Sequence, residues 1–134
     1  MRSNLSVPPV SVIIPAYNAA AFLHRAVHSA LKQSIPVLEV LIVDDASTDD
    51  TVAIADALSL NDSRIRLLTL SENSGPSVAR NAGLEAAKGQ WVAILDADDA
   101  YLPERLEWML QTAIESDADI VVDNIRYYDP STDS

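Results

Sequence analysis

The chain has 134 residues, 49% of them apolar and 22% charged, which suits one soluble domain with its own core and leaves little room for two. Twenty Asp and Glu against nine Lys and Arg give a net charge of -11, so the protein as a whole repels nucleic acid and anionic surfaces, and a phosphate-bearing ligand needs a local device to recruit it. The absence of cysteine excludes disulfides and thiolate metal sites.

The opening "MRSNLSVPPV" has no apolar segment of signal-peptide length, and no later run approaches the ~20 apolar residues of a membrane span, so a cytoplasmic chain is expected. Residues 10–14, "VSVII", read as a strand that stops at Pro15, followed by the loop "PAYNAA". Leu23, Ala26, Val27, Ala30 and Leu31 then recur at helical spacing. "VLEVLIV", residues 37–43, is a second strand. "STDDTVAIADAL" offers Ser47, Thr48 and Asp49 as caps for a helix that buries Ile54, Ala55 and Leu58.

"RIRLLTL", residues 64–70, is the third strand. Gly75 and Pro76 introduce a helix through Lys88, stopped by Gly89, whose inward face is small: Ala79, Ala82, Gly83 and Ala86. "WVAIL" is the fourth strand. Leu106, Met109, Leu110, Ala113 and Ile114 form another helical stripe, and "ADIVVDNI", residues 118–125, is a fifth strand. Strands alternating with helices of this length predict an α/β fold, a mostly parallel sheet with helices on both faces. The domain spans residues 10–128, with residues 1–9 as an N-terminal extension and 129–134 as a tail or truncation point.

Parallel sheets bind ligands beyond the carboxyl ends of their strands, and those ends are unusually polar here. Pro15, Tyr17 and Asn18 follow strand one; Asp44 and Asp45 end strand two; Asp96, Asp98 and Asp99 follow strand four. In extended backbone Asp96 and Asp98 point to the same side and could converge on one hard cation, or they could simply cap a turn. At most one of Asp44 and Asp45 is free to accept a hydrogen bond from a nucleobase N–H. Arg80 sits near a helix N-terminus, where the dipole disfavours a cation, so it needs either an internal carboxylate or a bound anion. Tyr17 could stack on a base or pack as a loop aromatic. His24 and His28 have the spacing of a zinc pair without a third ligand. Neither a dinucleotide-binding glycine motif nor a P-loop occurs.

In order, "VSVIIPAYN", "LIVDDASTDDT", "NSGPSVARNAGLEAAKG" and "WVAILDADD" resemble the family 2 glycosyltransferases of the GT-A fold, over residues 10–125. The resemblance implies a domain that binds a nucleotide-diphosphate sugar, with uridine as the expected base, through Mg2+ or Mn2+. By position, Pro15 and Tyr17 match the loop on the base, Asp45 the carboxylate reading it, Arg80 the arginine beside both, Asp96 the residue near the ribose and Asp98 the metal ligand. Asp99 matches an acidic position of structural character.

The family's catalytic base lies in the acceptor half, which follows the Asp-x-Asp segment. No residue matches it, so the base is expected beyond Ser134 and this stretch alone is expected to be inactive. The resemblance further implies a saccharide or lipid-linked acceptor, a setting in polysaccharide or exopolysaccharide synthesis, and membrane association of the full-length protein. An exposed sheet edge would permit a homo-oligomer. The alternatives are a non-catalytic sugar-nucleotide-binding module and a nucleotidyltransferase; "PAYNAA" lacks the basic, glycine-rich character expected of the latter.

Overall fold

A computed structural model describes residues 7–119. Its elements alternate: β1 (Val10–Ala16), α1 (Leu23–Leu31), β2 (Glu39–Asp44), α2 (Thr51–Asn61), β3 (Ile65–Thr69), α3 (Pro76–Ala86), β4 (Trp91–Ile94) and α4 (Arg105–Ser116). Among the described residues all strand pairs are parallel, in the order β3-β2-β1-β4. The chain thus winds outward from β1 to β3 and then crosses back over β1 to place β4. Most of the predicted fifth strand lies outside the described residues.

The central strands β1 and β2 are buried almost throughout, as a sheet covered on both faces requires, while the edge strands β3 and β4 are mostly half-buried. Residue alternation divides the core in two. Val10, Val12, Ile14, Val40 and Ile42 pack with α1, α2 and α4 through Leu23, Ala26, Val27, Ala55, Leu106 and Leu110. Ile13, Leu41 and Val43 face the other way, against Ala79 of α3. The small face predicted for α3 allows this approach: a Cβ on Gly83 would lie 2.5 Å from Ile13 Cγ2.

Several expectations need correction. β1 does not stop at Pro15 but runs on to Ala16, with Pro15 registered against Val43. The missing N–H is harmless there. Ile13 uses its carbonyl toward β4, accepting from the Leu95 N–H at 2.9 Å, so Pro15 faces that same side, beyond the last β1–β4 pair at Ile94. Gly89 is not the stop of α3, which ends at Ala86; it is needed because a Cβ would sit 2.7 Å from the Ser11 N. On α4, Leu106, Leu110 and Ala113 are buried but Ile114 is 60% exposed.

The amino end of the sheet is closed by a buried polar cluster that the sequence did not suggest. Glu39 accepts from Ser11 Oγ at 2.6 Å, from Arg66 Nη1 at 2.6 Å and from the Lys88 N–H at 2.7 Å, and Ser11 Oγ accepts from the Gly89 N–H at 2.8 Å. Burial pushes the Glu39 carboxyl up, but the donors of Ser11, Lys88 and Arg66 outweigh it and hold the group below its ordinary value. The cluster ties the starts of β1, β2 and β3 to the turn entering β4.

Candidate functional site

The strand order reverses between β1 and β4, and an open sheet splays its loops apart at such a point. On one side lie Pro15, Tyr17 and Asn18; on the other, the segment after β4. Leu95 and Ala97 are 2% and 6% exposed, whereas Asp96 and Asp98 between and after them are exposed. Both carboxylates are open to solvent, but β4 ends at Ile94 and the pair does not lie in the extended backbone from which their common side was expected. The Asp99 N–H donates to the Asp96 carbonyl at 2.9 Å, closing a turn over residues 96–99 that contains the pair, which is the turn alternative weighed for these aspartates.

Arg80 reaches over from the second turn of α3, with Nη2 3.9 Å from Asp96 Oδ1 and both side chains well exposed. Of its two predicted partners the internal carboxylate is therefore present, but at a distance beyond a direct hydrogen bond. Desolvation pushes the Asp99 carboxyl up, and the negative charges of Asp98 and Asp96 push it further, against the opposing effect of Arg25. The rim is a region of concentrated negative charge. Two carboxylates about 4 Å apart repel by roughly 1 kcal/mol in water and roughly 4 kcal/mol at an effective dielectric of 20.

Asp44 and Asp45 separate by strand alternation. Asp44, on the α1 and α2 side, is buried; its Oδ2 accepts from the Ser47 N–H at 3.1 Å and its Oδ1 has no protein partner. Asp45, on the α3 side, accepts from the Ser74 N–H at 2.7 Å and the Gly75 N–H at 2.9 Å, one on each oxygen. Asp45 thereby holds the loop that leads into α3, where Gly75 takes a φ of 95°. Its own N–H donates to the Ala16 carbonyl at 2.8 Å, which sets it beside Tyr17, itself 50% exposed.

The expected caps of α2 act only in part. Asp49 Oδ1 accepts from the Thr51 N–H at 2.9 Å, but Ser47 and Thr48 turn to Asn18 instead. The Asn18 N–H donates to Ser47 Oγ at 2.8 Å, and Asn18 Oδ1 accepts from the Thr48 and Asp49 N–H groups at 2.8 and 3.3 Å. Ala19 and Ala20 extend the clasp to Thr51 Oγ1 and Asp49 Oδ2. His24 and His28 line a groove with Arg25, Val27, Ser29, Leu31 and Leu58. Among the described residues no three His, Cys, Asp or Glu side chains converge as a metal cluster.

A row on α1 went unread in the sequence. Arg25 and Ser29 on that helix, and Gln33 just past its end, at i, i+4 and i+8, all hydrogen-bond the segment after Asp96. Polar residues at that spacing beside an apolar stripe are the signal that could have revealed it.

Known proteins match this chain in sequence and in fold. Succinoglycan biosynthesis protein ExoO of Rhizobium meliloti (strain 1021) is 46% identical over 119 residues, 89% of this chain and 34% of that protein. Glycosyltransferase GlyG of Streptococcus pneumoniae serotype 4 is 38% identical over 122 residues, 91% of this chain and 40% of that protein. The chain therefore spans well under half the length of these relatives. The crystal structure of S. aureus TarS 1–349 in complex with UDP-GlcNAc superposes with a TM-score of 0.72 at 34% identity, covering 80% of this chain and 31% of that one. The fold is thus shared with TarS, and the profile of Glycosyl transferase family 2 matches residues 11–134: the chain belongs to that family.

Proposed function

We propose that this domain binds a nucleotide-diphosphate sugar, with uridine as its base, at the crevice between β1 and β4. Asp98, with Asp96, would hold a divalent cation, Mg2+ or Mn2+. The whole protein would use the site for inverting transfer of the sugar to a hydroxyl of a saccharide or lipid-linked acceptor, in polysaccharide or glycoconjugate synthesis. The observation that carries this reading is the exposed Asp96–Asp98 pair, presented by the buried Leu95 and Ala97 at the reversal of strand order. TarS, solved with UDP and with UDP-GlcNAc, and ExoO, named for succinoglycan biosynthesis, support the ligand class and the setting.

The donor set fits such a cation. Carboxylate oxygens suit a hard ion, and Mg2+ in particular is commonly held by one or two carboxylates with substrate phosphates and water completing its shell. When bound, the cation would neutralise the charge developing on the diphosphate leaving group. The chain's own residues supply the rest. Pro15 and Tyr17 would line the base, and Asp45 would accept its N–H through the second lone pair of an oxygen already bonded to the α3 loop. Arg80 would set the position of Asp96 near the ribose. No described residue is assigned as the base that deprotonates the acceptor; it is expected on the acceptor side.

Calorimetric titration of UDP tests this reading. Binding is expected with Mn2+, and is expected to disappear with chelator and in Asp98→Ala. Equal binding with and without the metal, or in the variant, would overturn it.

A further inference from the structure

The polar row that starts on α1 and ends at Gln33 is more than a packing detail, because of where its bonds fall. Arg25 Nη2 donates to the Asp98 carbonyl at 2.7 Å. One turn on, Ser29 Oγ accepts from the Tyr101 N–H at 3.0 Å. A turn further, Gln33 Nε2 donates to the Leu102 carbonyl at 2.8 Å while its Oε1 accepts from the Leu106 N–H at 2.9 Å. Ser29 and Gln33 are themselves tied back to α1 carbonyls, those of Ala26 and Ser29. Helix α1 and the residue two places past its end thus hold the loop from Asp98 to the first turn of α4.

Arg25 is the member at the acidic rim. Its guanidinium bonds the backbone of Asp98, leaving the direction of the Asp98 side chain to be set by a fixed carbonyl. The Asp99-to-Asp96 turn bond and the Arg80–Asp96 ion pair restrain the same loop, but neither reaches the Asp98 backbone. We infer that Arg25 is a positioning residue for the Asp96–Asp98 pair, preorganising it for a divalent cation through the Asp98 carbonyl. The inference rests on the cation-binding reading of the site.

Electrostatics and positioning predict opposite signs for loss of this arginine. Removing a positive charge near the pair should by Coulomb's law alone tighten binding of a cation. Losing an outer partner that orients a ligating residue should instead weaken it, by about 10-fold on the scale usual for such partners. The experiment is a Mn2+ titration of the chain with UDP present, followed by the paramagnetic resonance signal of free Mn2+, on wild type, Arg25→Met, Arg25→Lys and Asp98→Ala. UDP without protein serves as the blank, and thermal unfolding is recorded for each protein.

Positioning predicts about 10-fold weaker Mn2+ binding in Arg25→Met at an unchanged unfolding midpoint, with most of the loss restored in Arg25→Lys. Unchanged or tighter binding in Arg25→Met, with Asp98→Ala still abolishing it, would overturn the role of Arg25 alone. No protein-dependent Mn2+ binding in wild type would overturn the cation site and the inference with it.

Discussion

Asn18 holds a left-handed backbone, with a φ of 48°, and its side-chain oxygen accepts from two backbone N–H groups of the β2–α2 loop. Those groups begin 30 residues away in sequence. Short polar side chains satisfy whichever backbone donor comes nearest, and sequence shows only the donors next door. That is why Ser47 and Thr48 read as caps of α2 when they are half of a clasp with the loop after β1, and why Asn18 read as an ordinary loop residue. The polar end of β4 was legible, because it depends on neighbouring residues alone, but the turn over residues 96–99 replaces the extended backbone expected there. Asn18→Ala should cost about 1–3 kcal/mol, since it leaves two loop donors to water and puts a Cβ without a polar group in the left-handed region. Asn18→Gly should recover the backbone part only. Urea unfolding of the two variants separates these contributions, and equal midpoints for wild type and Asn18→Ala would show that the clasp adds nothing to stability.

At the scale of elements, helix α3 carries the clearest consequence of close packing. Its small residues predicted an approach to the sheet, and Ala79 and Gly83 are indeed its buried positions. On α4 the apolar stripe was misread at Ile114, because periodicity gives a helix face without saying how far its covering neighbours extend. For Gly83→Ala two effects compete. Alanine favours the helix by about 1 kcal/mol, while a Cβ 2.5 Å from Ile13 Cγ2 must displace a side chain that is fully buried in the middle of β1. Overpacking of this kind costs about 1–3 kcal/mol, so a net loss of stability is expected. Arg80 lies one turn earlier on the same helix, so relief of the overlap by moving α3 should also weaken UDP binding. Leu84→Ala, on the exposed side of α3, is the control; a Gly83→Ala protein with wild-type stability and wild-type UDP affinity would show that the helix yields at no cost.

For the whole molecule, the alternation of elements revealed a parallel sheet, but the strand order depends on the connection from β3 crossing β1, which no local pattern encodes. The crevice is a product of that crossing, and so is the meeting of Arg80 on α3 with Asp96 after β4. Charge then sets how the crevice can work. With a net charge of -11 and an acidic rim, the chain opposes a diphosphate both at long range and at contact. Uridine carries the base and ribose without that penalty. If Asp45, Tyr17 and Arg80 read the nucleoside while the cation recruits the diphosphate, the two ligands should respond oppositely to chelation. With chelator, UDP should bind no tighter than uridine, and the small difference should shrink as salt screens the repulsion. With Mn2+, UDP should exceed uridine by at least about tenfold, the equivalent of about 1.4 kcal/mol. Competition of both ligands against a fluorescent nucleotide, with and without Mn2+, measures the four affinities. UDP binding tighter than uridine in chelator would mean that the chain's few basic groups, Arg80 first among them, recruit the diphosphate directly, and the Asp96–Asp98 pair would lose its assigned purpose.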